Sequence, residues 1–244
     1  MDLAETARRL LDDYDNHHPG TVFAKDWFHV TLEQAWELQA RVAALRVARG
    51  ERVAGYKVGC VSESVRRQLG LSHAVFGRVF AGELHESGCE LDAAGYEGLA
   101  IEGEFAVRLG AEGEVSSVFP VIELHNYIFR RANQRAEELI ANNAVHAGVV
   151  MAAAGRPLRE AGDEPIEVRI NGERKGASDG IGLAGAIAES LRLLADGLGR
   201  MGLRVEPGQI VLTGSPLPLY RVEKGDRIEV RCPSFPVVAA TVGR

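Results

Sequence analysis

From about residue 75 to the C-terminus, short segments of strand character follow one another with little helix between them, and this constrains the fold more than any other feature. The segments are AVFGRVF, LAIEGEFAVRLG, VFPVIEL, NAVHAGVVMA, IEVRINGERKG, QIVLTGS, DRIEVRC and VVAATV. They are rich in β-branched and aromatic side chains, and turn-forming residues separate them. Asn171-Gly172, between VRI and ERK, is a strong hairpin signal, because a two-residue turn of the type I′ class needs positive φ at both positions. Helical periodicity interrupts the strands only at about 127–141 and 183–200. Strands that outnumber helices and do not alternate with them argue against a doubly wound parallel sheet and predict an α+β fold.

Ahead of this β-rich body the texture is helical. LAETARRLLDDY places Leu3, Ala7, Leu10, Leu11 and Tyr14 at helical spacing and stops at the HHPG breaker. TLEQAWELQARVAALRVARG predicts a stronger helix, with Thr31 and Gln34 as a capping box and Gly50 as the stop. VAGYKVGC reads as a strand, and SESVRRQLG as a short helix capped by Ser62 and ended by Gly70. The expected organisation is an N-terminal helical segment, residues 1–70, packed on a body formed by residues 71–244.

Composition narrows the classes of function. The chain has 244 residues, 46% hydrophobic and 25% charged, which suits a soluble globular protein with a sizeable core. A net charge of −6 and a pI near 5.7 leave no general footprint for nucleic acid. Cys60, Cys89 and Cys232 show no CxxC or Cys/His spacing and read as free thiols of a reducing compartment. The N-terminus is too charged for a secretory signal, and no apolar run approaches a membrane span. A cytoplasmic protein with neither nucleic-acid nor membrane partner is expected.

Chemistry enters with AIEGEFAV. On a strand, alternate side chains share a face, so Glu102 and Glu104 point one way while Ile101, Phe105 and Val107 point the other. A half-buried strand with a solvated face would explain this fragment alone. Glu123 changes the weighing, since it lies in the apolar run VFPVIEL, where an isolated carboxylate is costly unless paired or metal-bound. Three carboxylates from two strands make a plausible set of hard oxygen ligands for Mg²⁺. Pairing of Glu123 with Arg130 or Arg131 is the competing explanation, and spacing leaves both open. Lys57, in GYKVG, falls within an interior strand, where desolvation lowers a lysine pKa toward the range of proton transfer; the alternative is a snorkelling side chain. GIGLAG, residues 180–185, satisfies G-x-G-x-x-G but has no βαβ unit around it and reads as a decoy. His125 and His146 are able to face the same cavity as Glu123, or to be ordinary hydrogen-bonded histidines.

Taken together, GYKVGCVSESVRRQLG, VFGRVF, IEGEFAVRLG, FPVIEL, IANNAVHAG and PGQIVLTGSPLPLYRVEKGDRIEV occur in an order and spacing that resembles a known family. It is the 2-hydroxypenta-2,4-dienoate hydratase and 4-oxalocrotonate decarboxylase group of the fumarylacetoacetate hydrolase superfamily. The resemblance spans nearly the whole chain. It implies a mixed β-roll or β-sandwich core with an N-terminal helical segment, a Mg²⁺ (or Mn²⁺) site, a small 2-oxo acid substrate and a homo-oligomer, with association between hydratase and decarboxylase relatives an option. Carried over by residue, Glu102, Glu104 and Glu123 are implied metal ligands and Lys57 the catalytic proton-transfer residue. Thr213, Gly214 and Ser215 are implied to line the substrate site and present donors to its carboxylate, with Val75, His125 and Asn142 also at that site.

The group's chemistry needs a metal-stabilised enolate at C2 of the substrate, with Lys57 moving a proton along the conjugated chain. Water then adds, or CO₂ departs. Hydratases of the group carry an aspartate where this chain has Val75, which pulls toward decarboxylation. The group's Asp-Asn-Ala-Ser is here Asn142-Asn143-Ala144-Val145, and His73, His125 and His146 are candidate replacements for the lost acid–base groups. Hydration is taken as the main reading, decarboxylation as the alternative, and acylpyruvate-type C–C hydrolysis on the same fold as a third.

Overall fold

The computed structural model describes residues 1–130, 134–153 and 155–243. Its helices are α1 (Leu3–Asp15), α2 (Leu32–Ala48), α3 (Glu63–Gln68), α4 (Ala136–Ala141) and α5 (Leu183–Gly199). Strands β1 (Val53–Gly59), β2 (Val75–Phe80), β3 (Leu84–Glu86), β4 (Cys89–Leu91), β5 (Leu99–Leu109), β6 (Val115–Asn126) and β7 (His146–Met151) form the first half of the β structure. They are followed by β8 (Asp163–Glu164), β9 (Glu167–Ile170), β10 (Glu173–Ala177), β11 (Ile181–Gly182), β12 (Ile210–Leu212), β13 (Tyr220–Arg221), β14 (Arg227–Arg231) and β15 (Val238–Val242).

Local signals account for most boundaries. Thr31 and Gln34 exchange the expected capping-box bonds, Gln34 N–H to Thr31 Oγ1 at 3.2 Å and Thr31 N–H to Gln34 Oε1 at 3.0 Å. Asn171 and Gly172 both take positive φ, 54° and 80°, and join β9 to β10. Ser62 departs from expectation: it precedes α3, but its hydroxyl contacts Ser64 Oγ at 2.6 Å instead of an amide. Of the described residues in the segment expected to be helical over 127–141, Ala136–Ala141 form the helix and residues 127–130 do not. Ahead of it the Arg130 guanidinium is held by the Pro19 carbonyl and Glu97, and the Arg130 amide by Glu138. Residues 131–133, Arg131 among them, lie outside the described residues.

The main sheet has the order β2-β1-β12-β5-β6-β7-β3, with β13 added beside β5. β1–β12 and β7–β3 are parallel pairs, and the remaining pairs are antiparallel. A second sheet runs β10-β9-β14-β15-β4, and β8 pairs with β11. The fold is thus mixed α/β, with the N-terminal helices present. Within residues 1–70, α1 and α2 lie outside the sheet while β1 lies inside it. Among the described residues no helix is long and apolar enough to cross a membrane.

The core forms where β5 and β6 face the second sheet. Ile101, Phe105, Val107, Ile122 and Leu124 pack with Val168, Ile170, Ile228, Val230 and Val238. Each such side chain contributes about 1.5–3 kcal/mol by burial. The other face of the main sheet is apolar at one end, through Ala106, Phe119, Val121, Val149 and Leu212. At its other end the acids gather.

A buried polar knot clamps the helices to this sheet. The Arg46 guanidinium, from α2, lies 2.8 Å from Glu83 Oε1 and 2.6 Å from Glu51 Oε2, and it stacks 3.6 Å from the Phe80 ring centroid. Glu83 also accepts the Tyr14 hydroxyl at 2.7 Å and the Phe80 amide at 2.8 Å.

Candidate active site

β5 and β6 pair in a register that sets Glu102 directly opposite Glu123, with Glu104 two residues along on the same face. Glu104 and Glu123 are buried, while the Glu102 side chain keeps 24% of its surface exposed and so marks the open side. β1 brings in Lys57, buried, with Nζ 3.3 Å from Glu123 Oε1. His125, two residues beyond Glu123, places Nε2 3.3 Å from Glu123 Oε2 and 3.5 Å from Glu102 Oε2. The structure therefore gathers Lys57, Glu102, Glu104, Glu123 and His125 on one face. Arg130 does not pair with Glu123: its ion-pair partner is Glu97.

The charges are strongly interdependent. Burial raises the Glu104 pKa first, and the Glu123 charge and a hydrogen bond to it raise it further, so Glu104 sits well above the ordinary carboxylate range. Burial also opposes ionisation of Glu123, but His125 and Lys57 more than offset this and hold it well below that range. Burial pulls the Lys57 pKa down; Glu123, Glu102 and Glu104 outweigh it and leave the ammonium above an ordinary lysine. This corrects the expectation of a depressed lysine, because desolvation was weighed there without the carboxylates. His125 is likewise raised: burial disfavours its cation and Glu123 favours it more strongly.

Several buried polar atoms here have no hydrogen-bond partner among the described residues: Glu104 Oε1, both ring nitrogens of His125, and His146 Nε2. Such atoms are rare in folded proteins and are met by water or by a bound group. Glu102, Glu123 and His125 each offer a ligand atom, all within 4.8 Å of one another. The donor set suits a divalent cation.

The remaining predicted site residues take different positions. Gly214 N–H donates to Glu104 Oε2 at 2.5 Å, the Thr213 hydroxyl to the Phe105 carbonyl at 2.8 Å, and the Ser215 hydroxyl to the Gly103 carbonyl at 3.0 Å. These donors are committed to β5 instead of aimed at a substrate carboxylate, and through Gly214 the segment holds Glu104. Gly214 has φ +91°, and a Cβ there would lie 2.9 Å from Val61 Cγ2, so the turn requires glycine. Val75 is buried in the apolar cluster under the N-terminal helices, with Cγ2 3.1 Å from where a Cβ on Gly59 would be. Asn142 does not reach the carboxylates. It ends α4 and lines a separate cavity of about 530 Å³ between the helices and the sheet, with Tyr14, Arg46, Glu83 and His146. The unpartnered atoms of Glu104 and His125 lie on the carboxylate face, outside the lining of that cavity.

His146 stands between the two. Asn143, Ala144 and Val145 all take left-handed φ, at 51°, 55° and 54°. For a β-branched residue this is a strained conformation, costing on the order of 1–3 kcal/mol. The Asn143 side chain secures the turn by pairing with the Arg78 backbone, accepting its amide at 2.7 Å and donating to its carbonyl at 2.8 Å. Gly77 makes room, because a Cβ there would lie 2.5 Å from the Asn143 carbonyl oxygen. The turn seats His146 with Nδ1 2.7 Å from Glu123 Oε1. Sequence reasoning named His146 without its contact, and it missed Glu83 and Arg46, for which no local signal exists.

Residues 86–243 match the fumarylacetoacetate (FAA) hydrolase C-terminal family, and the chain belongs to that family. Among curated relatives it is 27% identical to 4-oxalocrotonate decarboxylase from Pseudomonas sp, over 83% of each chain. It is also 27% identical to 2-hydroxyhexa-2,4-dienoate hydratase from Comamonas testosteroni, over 92% of this chain and 88% of the relative. The fold is similar to that of 4-oxalocrotonate decarboxylase from Pseudomonas putida G7 complexed with magnesium and adipate. There the TM-score is 0.88 at 21% identity, covering 98% of this chain and 97% of the other.

Proposed function

We propose that this chain is a divalent-metal-dependent lyase acting on a small 2-oxo or 2-hydroxydienoic acid in the breakdown of aromatic compounds. Hydration of the 2-hydroxypenta-2,4-dienoate type is the main reading, in line with relatives among which hydratases outnumber the decarboxylase. On this reading the facing sheets are the family's β-roll, residues 71–244 are the catalytic part, and the N-terminal segment supplies Lys57. The protein works in the cytoplasm as a homo-oligomer, with association to a partner enzyme of the same group open to it.

One observation carries the reading: a single face holds buried Glu104, Glu123 and Lys57 beside half-buried Glu102, together with polar atoms that have no hydrogen-bond partner among the described residues. Glu102, Glu104 and Glu123 would hold Mg²⁺ or Mn²⁺, which supplies Lewis-acid stabilisation of the developing enolate. Lys57, kept protonated by its carboxylate neighbours, delivers a proton to the conjugated chain as general acid. Glu123 orients the ammonium at 3.3 Å. The surrounding apolar residues exclude bulk water, which strengthens each of these interactions.

Decarboxylation is favoured by one specific feature. Val75, packed beside Gly59 on the strand next to Lys57, offers no acid or base to position an attacking water. Incubation with a divalent metal and either 2-hydroxypenta-2,4-dienoate or 2-oxohex-3-enedioate, followed by ultraviolet absorbance and CO₂ release, separates the two reactions. Glu102→Gln is expected to abolish turnover and weaken metal binding. Full activity in that variant, or inertness of the parent toward both acids with any divalent ion, overturns the proposal.

A further inference from the structure

His125 sits among the carboxylates without a hydrogen bond of its own. Its ring is buried, it shares the face with Glu102 and Glu123, and neither of its nitrogens makes a hydrogen bond. A buried imidazole with both nitrogens unsatisfied is costly. Nε2 lies 3.3 Å and 3.5 Å from oxygens of Glu123 and Glu102, which is close, yet it is aligned for a hydrogen bond to neither. Nε2 and these two oxygens are close enough together to share one ligand.

Glu104 behaves differently. One of its oxygens is taken by the Gly214 amide, and it does not join the cluster of ligand atoms lying within 4.8 Å of one another, which consists of Glu102, Glu123 and His125. Among the described residues, the cluster of three donors within 4.8 Å of one another contains a nitrogen.

We propose that His125 is a metal ligand alongside Glu102 and Glu123, so that the centre is a mixed oxygen–nitrogen site selecting a transition-series divalent ion, Mn²⁺ or Co²⁺, over Mg²⁺ and Ca²⁺. The selection follows from donor chemistry: imidazole bonds well to transition-series ions, whereas Mg²⁺ and Ca²⁺ prefer oxygen. The inference rests on the metal-dependent reading above and refines it. His146 reinforces the arrangement by holding Glu123 Oε1 at 2.7 Å, which leaves Oε2 turned toward His125.

The test uses the full-length, untagged protein stripped with a chelator. Isothermal titration compares Mg²⁺, Mn²⁺ and Co²⁺, and electron spin-echo spectroscopy of the Mn²⁺ form looks for nitrogen modulation. The expected results are directly coordinated ¹⁴N in the parent protein and, in His125→Val, loss of that signal with roughly a tenfold fall in the Mn²⁺/Mg²⁺ affinity ratio. Mn²⁺ bound with no nitrogen coupling, or an unchanged ratio in His125→Val, overturns the inference while leaving the metal-dependent lyase intact. Failure of the parent to bind any of the three ions removes both. Because the spectrum is read on the parent protein, the inference stays testable even if the variant does not fold.

Discussion

The buried polar cluster around Glu83 at the helix–sheet junction and the one around Glu123 on the face of β5 and β6 differ in how completely their atoms are used. Glu83 has its oxygens engaged by Tyr14, Arg46 and the Phe80 amide. Glu123 is engaged too, but its neighbours Glu104 and His125 keep atoms without partners. A fully connected network specifies a packing arrangement, whereas each unpartnered atom in a folded core needs a partner of another kind, such as water or a bound group. The contrast separates buried charge tied into the packing from buried charge beside atoms without a partner among the described residues, and the proposed function rests on the second kind.

That contrast can be pressed experimentally. Replacing Lys57 by Met is expected to lower kcat by about 10²–10⁴-fold, the usual worth of a general acid, while metal binding measured by titration persists; normal turnover would erase the distinction. Glu83→Gln should do the reverse. It strips the Arg46 guanidinium of one buried partner and is expected to cost about 3 kcal/mol of unfolding free energy in a denaturant titration, with turnover per folded molecule retained. A stability loss smaller than that of Lys57→Met would show the junction is not the structural cluster. Saturating metal, at a hundred times its Kd, is expected to stabilise the parent and Glu83→Gln by about 2.7 kcal/mol each and to leave Glu123→Gln unmoved in a thermal melt. Gly77→Ala, which drives a Cβ to 2.5 Å from the Asn143 carbonyl oxygen, is expected to cost about 2 kcal/mol by overpacking. It should also lower activity, since the displaced turn carries His146 away from Glu123.

Much of this was legible in the sequence because it is local. The capping box of α2, the Asn171-Gly172 hairpin and the shared face of Glu102 and Glu104 each follow from spacings of a few residues. β3, β4, β8, β11 and β13 are two or three residues long, too short for alternation to show, and were not expected. The Lys57–Glu123 and His146–Glu123 contacts depend on strand order, which no periodicity encodes. The raised Lys57 pKa is a consequence of that same order: burial could be inferred from GYKVG, but not the carboxylates that override it. The donors of Thr213, Gly214 and Ser215 were foreseen near the site, and only the register of β12 against β5 shows them turned toward that strand.

The position of β1 has an outcome of its own. It runs between β2 and β12 and carries Lys57, yet it precedes the stretch 86–243 matched to the family. A fragment cut to that stretch would lose β1 and β2, leave the three-residue edge of β12 without its parallel neighbour, and lack Lys57. On the proposed function, grafting the matched stretch onto another scaffold would transfer Glu102, Glu104 and Glu123 and leave Lys57, the proposed proton donor, behind.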